Sequence, residues 1–385
     1  MVSLKVSPTG FAFTRNPVQL VFENHGHATY RVSAGKEFFE GMVEGDAVVN
    51  LSELLEAMVP DLPVPWQGDG VFSVMGDASE RLVSVSVSPG LDGEADWTSG
   101  FYAIKGGISL QNYRLFALEG TDAFQSRFLS GRGNFFLTAR SHSWRIVMKE
   151  TEVCPLAFIS SGAAVEVREL IGGNTCSAAP GKNTLVWLDI NALRKHFFLS
   201  AEVLANLFDI SVAGKFACRI AVEAVPASLE HYRFWFRNSL GVVDAVDLPG
   251  TGKMLPSFSG GSDDDTTGFR QYDVLTDDFV KTRTRVRRGM NLEIEAILTG
   301  QTDIGLLCDM LASDEVWYLG EGLPPRRVIP VVDGLSFQSR ITKPVNVTVR
   351  FSFPEEELNQ TPDIGGVAGH IRPRVFSDEF SEQFN

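Results

Sequence analysis

The sequence predicts a mainly β protein, built of multidomain antiparallel β-sandwich-like units with a few short helices. Three observations carry this. Strict alternation of apolar and polar residues dominates the patterned stretches, which is the signature of strands with one buried and one wet face. Helical spacing is confined to short segments. The length of 385 residues corresponds to roughly two to three domains at about 100–200 residues each. With 44% hydrophobic and 21% charged residues, the chain has the composition of one that buries a core, not of a disordered one.

The strands are read in order. Val18, Leu20 and Phe22 alternate with polar neighbours, and from Leu82 to Ser88 three valines (Val83, Val85, Val87) share one face while Ser84, Ser86 and Ser88 take the other. The same period returns at Phe216, Cys218, Ile220 and Val222, at Tyr232, Phe234 and Phe236, and at Leu292, Ile294, Ala296 and Leu298. It closes with Val345, Val347, Val349, Phe351 and Phe353. One wet face per strand favours antiparallel sandwiches over a parallel sheet covered on both sides.

Three helices are predicted. Leu51, Leu54, Leu55 and Met58 follow the i, i+3, i+4, i+7 spacing, with Asn50 as cap, Glu53 in a capping-box position and Pro60 as the stop. Ala201–Phe208 after Ser200 and Asp303–Leu311 after Thr302 are the others. Strand, helix, strand therefore recurs three times along the chain, as a diverged repeat would. Turn-forming clusters at Pro89–Gly100 and Val225–Leu229 place domains at 1–97, 98–226 and 227–353, followed by a polar tail, 354–385, carrying a candidate docking helix. Ser257–Gly268 reads as an exposed loop inside the third domain.

Composition and motifs exclude several chemistries. The 48 acidic against 34 basic residues give a net charge of −14, which repels a phosphate backbone, so no nucleic-acid partner is expected. No serine has the two glycines of a nucleophile elbow. Gly250–Lys253 reads GTGK, but Asp247 stands where a P-loop needs its first glycine and Met254 where it needs a hydroxyl. Gly131 and Gly133 form a turn rather than a dinucleotide fingerprint.

His25 and His27 lack further ligands nearby, and Asp263–Asp265 lack the spacing of a calcium loop, so no metal or cofactor is expected. Cys154, Cys176, Cys218 and Cys308 form no C-x-x-C pair and read as buried free thiols. No apolar run approaches the ~18 residues of a membrane span, and the first residues lack a signal-peptide pattern. Membrane insertion is not expected, and synthesis and folding in a reducing cytoplasm is.

Two segments stand out as contact surfaces. In KTRTRVRR, strand geometry puts Lys281, Arg283, Arg285 and Arg287 on one face, either as a solvated outer face or as the positive half of a head-to-tail contact whose negative half is an acidic loop such as Asp263–Asp265. At the C-terminus, Phe376, Phe380 and Phe384 recur every four residues, the spacing of three anchors for a groove on a partner or on their own domain. Trp66, Trp97 and Trp317 are the aromatic platforms a glycan-binding protein would use.

Three long stretches, HYRFWFRNSLGVVDAVDLPGTGK (231–253), LLCDMLASDEVWYL (306–319) and RRVIPVVDGLSFQSRITKPVNVTVRFSF (326–353), resemble poorly characterised proteins of phages and prophages of gut Bacteroidetes. NPVQLVFEN (16–24) with NLSELLEAM (50–58) is similar to their opening domain, and GTDAFQSRFLSGRGNFFLTAR (120–140) fits as well. The resemblance spans nearly the whole chain and carries no functional residue. It implies a non-enzymatic, tail-associated or minor structural protein that assembles with copies of itself and other tail proteins and ends in the virion tail. The alternative is a glycan-binding or adhesion protein on a particle or cell surface.

Overall fold

The computed structural model describes residues 3–23, 26–64, 66, 68, 70–90, 94–119, 135–140, 144–202, 205–225, 230–259, 263–264, 282–283, 287–320, 324–332 and 343–354. The fold is mainly β, with several antiparallel sheets and few helices. The chain divides into two compact units. Unit 1 comprises Met1–Pro226, Trp235–Val246 and Thr302–Asp314, and unit 2 comprises Ala227–Phe234, Asp247–Gln301 and Glu315–Asn385.

Unit 1 opens with a sandwich. One sheet has the order β1 (Ser3–Val6), β3 (Gln19–Glu23), β6 (Ala47–Asn50). The other has the order β2 (Gly10–Phe13), β9 (Trp97–Ile104), β8 (Leu82–Ser88), β4 (His27–Ala34), β5 (Glu37–Glu44). All pairs are antiparallel except β2 with β9. The apolar set anticipated from alternation, Val18, Leu20 and Phe22 with Val83, Val85 and Val87, forms this core together with Ala28, Val32 and Phe101.

Helix α1 (Ser52–Met58) adds Leu55 to that core and ends at Val59, just before the proline. Its capping box does not form. Asn50 still pairs with Gln19 in β6, and its side-chain oxygen accepts from the backbone N–H groups of Val18 and Ser52, so Leu51 becomes the N-cap without a side-chain bond.

A second sandwich follows. Its larger sheet has the order β10 (Arg145–Lys149), β16 (Lys215–Glu223), β15 (Leu207–Val212), β12 (Val165–Glu169), β13 (Thr175–Ala178). Its smaller sheet has the order β11 (Leu156–Ile159), β14 (Leu185–Leu188), β7 (Phe72–Val74). Every residue of β11 and β14 is buried, because this small sheet is covered on both faces. Leu156, Phe158, Val186 and Leu188 join the core of the second sandwich, while Ala157, Ile159, Leu185 and Trp187 join another core with Phe11, Phe13, Ile104, Leu240 and Val242. Unbroken apolar runs such as LAFI and LVWL are what a strand buried on both sides requires.

Two expectations change here. The helix expected at Ala201–Phe208 lies earlier, as α3 (Ile190–Ala201), and Leu207–Val212 is strand. Asp189 caps α3 by accepting from the Ala192 N–H at 3.0 Å, and Glu202, at φ 55° in the left-handed region, ends it. Helix α2 (Leu110–Glu119) has no counterpart among the predicted elements. The turn-rich stretch Pro89–Gly100 joins β8 to β9 and already includes the start of β9 at Trp97, so the division expected at 97/98 runs through a strand.

After the four sandwich sheets comes a closed barrel of β17 (Glu230–Arg237), β18 (Val243–Ser259), β21 (Arg287–Leu298), β24 (Val345–Ser352), β23 (Arg326–Val331) and β22 (Val316–Leu319). Closure removes exposed sheet edges. Within unit 2, Phe234 stacks on Phe351 at 4.5 Å between ring centroids, and Tyr318 contacts both Phe234 and Phe353. Helix α4 (Gln301–Leu311) matches its predicted span, but Thr302–Leu311 belongs to unit 1. The recurrence of strand, helix, strand along the chain is therefore not a recurrence of domain cores.

Candidate functional site

Two features gather charged chemistry. The first is a buried knot in unit 1, where Thr138 and Arg140 meet the segment Arg237–Val246. The Thr138 hydroxyl donates to Asp244 Oδ2 at 2.6 Å, and Arg140 Nε donates to Asp244 Oδ1 at 3.2 Å. Arg140 also donates to Glu152 Oε2 at 2.7 Å and to the Ala245 carbonyl. The side chains of Arg140 and Asp244 are each 1% exposed. Asn238 braces the turn, accepting from the N–H groups of Leu240 and Val242 and donating to the Leu137 carbonyl at 2.9 Å.

The electrostatics fix the charges in place. Burial alone would raise the Glu152 carboxyl, but Arg140 and then Lys149 hold it down to about 2. Burial works against the Arg140 cation, and Glu152 and Asp244 outweigh it, so the guanidinium is held more firmly charged than usual. Burial, followed by the Asp244 charge, pushes the Cys154 thiol up, leaving it protonated and a poor nucleophile. Asp309 is raised to about 6 by burial and then by Asp244, although it accepts from the Ser239 N–H at 3.0 Å. Its Oδ2 is buried with no hydrogen-bond partner among the described residues. Arg140, locked between two carboxylates beside a protonated thiol, holds the segment Arg237–Val246 in place.

The second feature is a ribbon in unit 2. β18 and β21 pair antiparallel from Gly250↔Ala296 to Ser259↔Arg287 without a register shift. The short strands β19 (Asp263–Asp264) and β20 (Thr282–Arg283) pair Asp263↔Arg283 and Asp264↔Thr282. That is the same register, four residues further on each strand. β24 pairs with β21 only from Asn291 onward, so the distal ribbon is two-stranded in the described pairings. Met254 (51%) and Phe258 (59%) are exposed along it.

Glycines Gly250 and Gly252, which mimicked a phosphate loop, lie within β18. A Cβ on Gly252 would meet the Tyr232 ring oxygen and one on Gly250 the Glu295 carbonyl, so close approach of neighbours selects glycine there.

The predicted contact residues are only partly placed. Arg287 begins β21 and is exposed, and Arg283 lies on β20 opposite Asp263. Lys281, Arg285, Phe376, Phe380 and Phe384 lie outside the described residues. Ser257–Ser259 and Asp263–Asp264 are strand rather than loop, and the acidic residue expected to face another copy stands in register with Arg283 of its own chain.

Of the tryptophans, Trp66 stacks on Trp187 at 4.9 Å, and Trp97 packs against the first core. Trp144, not singled out from the sequence, is 54% exposed and sits 6.3 Å from the half-exposed Phe216 ring. Among the cysteines, Cys154 and Cys218 are buried, Cys176 is half-buried and Cys308 is exposed. Among the described residues no group of three or more His, Cys, Asp or Glu is placed to hold a metal, and no helix is long and apolar enough to cross a membrane.

No family model and no curated protein matches the sequence. Among solved structures, one from a study of host cell surface retention of a 1.5-MDa bacterial ice-binding adhesin aligns at 11% identity over 64% of this chain and 83% of its own, with a TM-score of 0.15. A complex of Dpr2 Ig1-Ig2 with DIP-Theta Ig1-Ig3 aligns at 8% identity over 92% of this chain and 89% of its own, with a TM-score of 0.16. At those scores neither likeness bears on how these strands are arranged or on what the chain does.

Proposed function

We propose that this chain is a non-enzymatic structural component of an assembled particle, a phage or prophage-derived tail or baseplate, that works through contacts with copies of itself and with neighbouring proteins. The observation that carries the reading is the two-stranded ribbon. Isolated two-stranded ribbons are marginal in water, and this one exposes Phe258, with Met254 and Leu255 exposed at its base where β24 still pairs with β21. Such an element gains order and covers its apolar side chains when it docks, which is what an assembly arm does. The resemblance to tail-associated proteins supplies the kind of particle. Synthesis in the host cytoplasm followed by incorporation into the virion is consistent with it.

Replacing Ser257–Arg288 by a two-residue Asn-Gly turn tests this. The full-length chain is expected to associate with itself or with co-expressed particle proteins, and the shortened chain to run at single-chain mass with an unchanged melting temperature. Association that survives the shortening counts against the proposal.

A second reading, glycan binding, is favoured by one observation: the Trp144–Phe216 pair is an exposed aromatic platform of the kind that stacks on sugar rings. Quenching of tryptophan fluorescence by an oligosaccharide panel, lost in Trp144→Ala, would support it, and a flat response across the panel would remove it.

A further inference from the structure

The first sandwich ends in an unusual edge. β5 is eight residues long and pairs with β4 along its whole length without a shift, while no strand pairs with its outer side among the described residues. The other open edges of the sandwich sheets, β1, β6, β2, β10, β13, β11 and β7, are five residues or shorter. Long flat edges invite pairing with another chain, and proteins ordinarily blunt them with proline, lysine or a bulge. β5, reading EFFEGMVE, has none of these and carries only acidic charge, and it exposes Phe38 at 58%, Phe39 at 41% and Met42 at 62%.

Its charges select the occupant. Glu37, Glu40 and Glu44 are all exposed. Antiparallel pairing of β5 with the same strand of another copy sets Glu40 against Glu40 in one central register and Glu37 against Glu44 in the adjacent one, so like charges oppose self-pairing. A strand with basic residues at alternate positions meets the opposite situation. The face already accommodates guanidinium, since Arg31 lies 4.2 Å above the Phe38 ring and its Nη1 is 3.7 Å from Glu40. That ion pair is exposed and therefore weak enough to be shared.

The sequence supplies such an alternation in Lys281–Arg288, with basic residues at 281, 283, 285 and 287, of which Arg283 lies on β20 and Arg287 begins β21. Its C-terminal end is β21 from Arg287 onward, and over 287–290 β21 is in register with β18 and with no other strand among the described pairings.

We infer that β5 of one copy receives the basic strand of a second copy's arm by edge-to-edge β-pairing. The two contacting surfaces differ, so the pairing closes as a reciprocal two-fold exchange or repeats into a ring or an open filament. This inference rests on the assembly reading above and names its surface.

The test uses the full-length chain at low salt, with sedimentation velocity as readout. Glu40→Lys with Glu44→Lys, and separately Arg285→Glu with Arg287→Glu, are each expected to weaken self-association at least about tenfold. An equimolar mixture of the two variants is expected to recover association, because each then offers the other a complementary partner. Hydrogen exchange is expected to slow in Glu37–Glu44 on association, which a purely electrostatic contact would not produce. Association unaffected by the β5 substitutions, or a mixture no tighter than its parts, overturns the role of β5. If shortening the arm still abolishes association in that case, the proposed function stands without this surface. A full-length chain that never associates overturns both.

Discussion

Arg140→Met tests the buried knot most severely. The substitution keeps the volume but leaves Glu152 and Asp244, whose side chains are 3% and 1% exposed, as buried carboxylates without their cation. Breaking a buried pair from one side costs about 3–5 kcal/mol. The Glu152 carboxyl, held at about 2 against an ordinary 4.5 by Arg140 and then Lys149, gives a figure of the same order: at about 1.4 kcal/mol per pKa unit the difference is about 3.5 kcal/mol.

The pH dependence distinguishes this mechanism from a generic packing defect. In the native chain the folded pKa is depressed, so the Glu152 contribution is complete above pH 4.5 and is lost as pH falls toward 2. Without Arg140, burial acts on the Glu152 carboxyl with only Lys149 left to oppose it, so its depressed pKa moves upward and the stability it contributes at neutral pH shrinks. Urea unfolding followed by tryptophan fluorescence should show the variant destabilised by about 3 kcal/mol at pH 7 and by distinctly less as pH falls toward 2. Arg140→Lys, which keeps the charge but loses the forked geometry, should fall between. A variant within about 1 kcal/mol of the native chain at pH 7 would refute the reasoning.

Asp309→Asn removes a carboxyl whose folded pKa is raised to about 6 from 3.8, so its stabilising protonated form is complete below 3.8 and lost as pH rises through 6. The expected result is a melting temperature higher by a few degrees at pH 7.5 and unchanged at pH 3.5, read by differential scanning calorimetry. Gly241→Ala places a methyl where φ is +81° and the new atom collides with the Lys105 carbonyl, so the turn must open. A loss of more than about 2 kcal/mol is expected, with protease sensitivity at residues 237–246. Wild-type resistance there would contradict the packing described.

The legible parts of the fold are those where one face is wet. Alternating VSVSVS and the Leu292–Leu298 set announce their own buried faces, and both enter the cores as read. β11 escaped notice because burial on both faces erases the alternation that sequence reading relies on. α3 was displaced because Ser200 looks like a cap while the actual cap, Asp189, ends the fully apolar β14; the spacing of Ile190, Leu193 and Phe197 was the available signal.

The knot was invisible for a different reason. Arg140, Glu152 and Asp244 are brought together by long-range topology and carry no fixed spacing. The ribbon was legible in its charges, yet Asp263 and Arg283 were read as belonging to different copies because only cross-strand register shows them opposed within one chain.

Light scattering of the full-length chain beside the chain shortened across Ser257–Arg288, at low and high salt, tests the central claim most directly. The account predicts a mass above that of one chain at low salt, falling as salt screens the charged contact, and single-chain mass for the shortened form under all conditions. Single-chain mass for both forms at every salt concentration, with no capture of particle proteins by either, would contradict it.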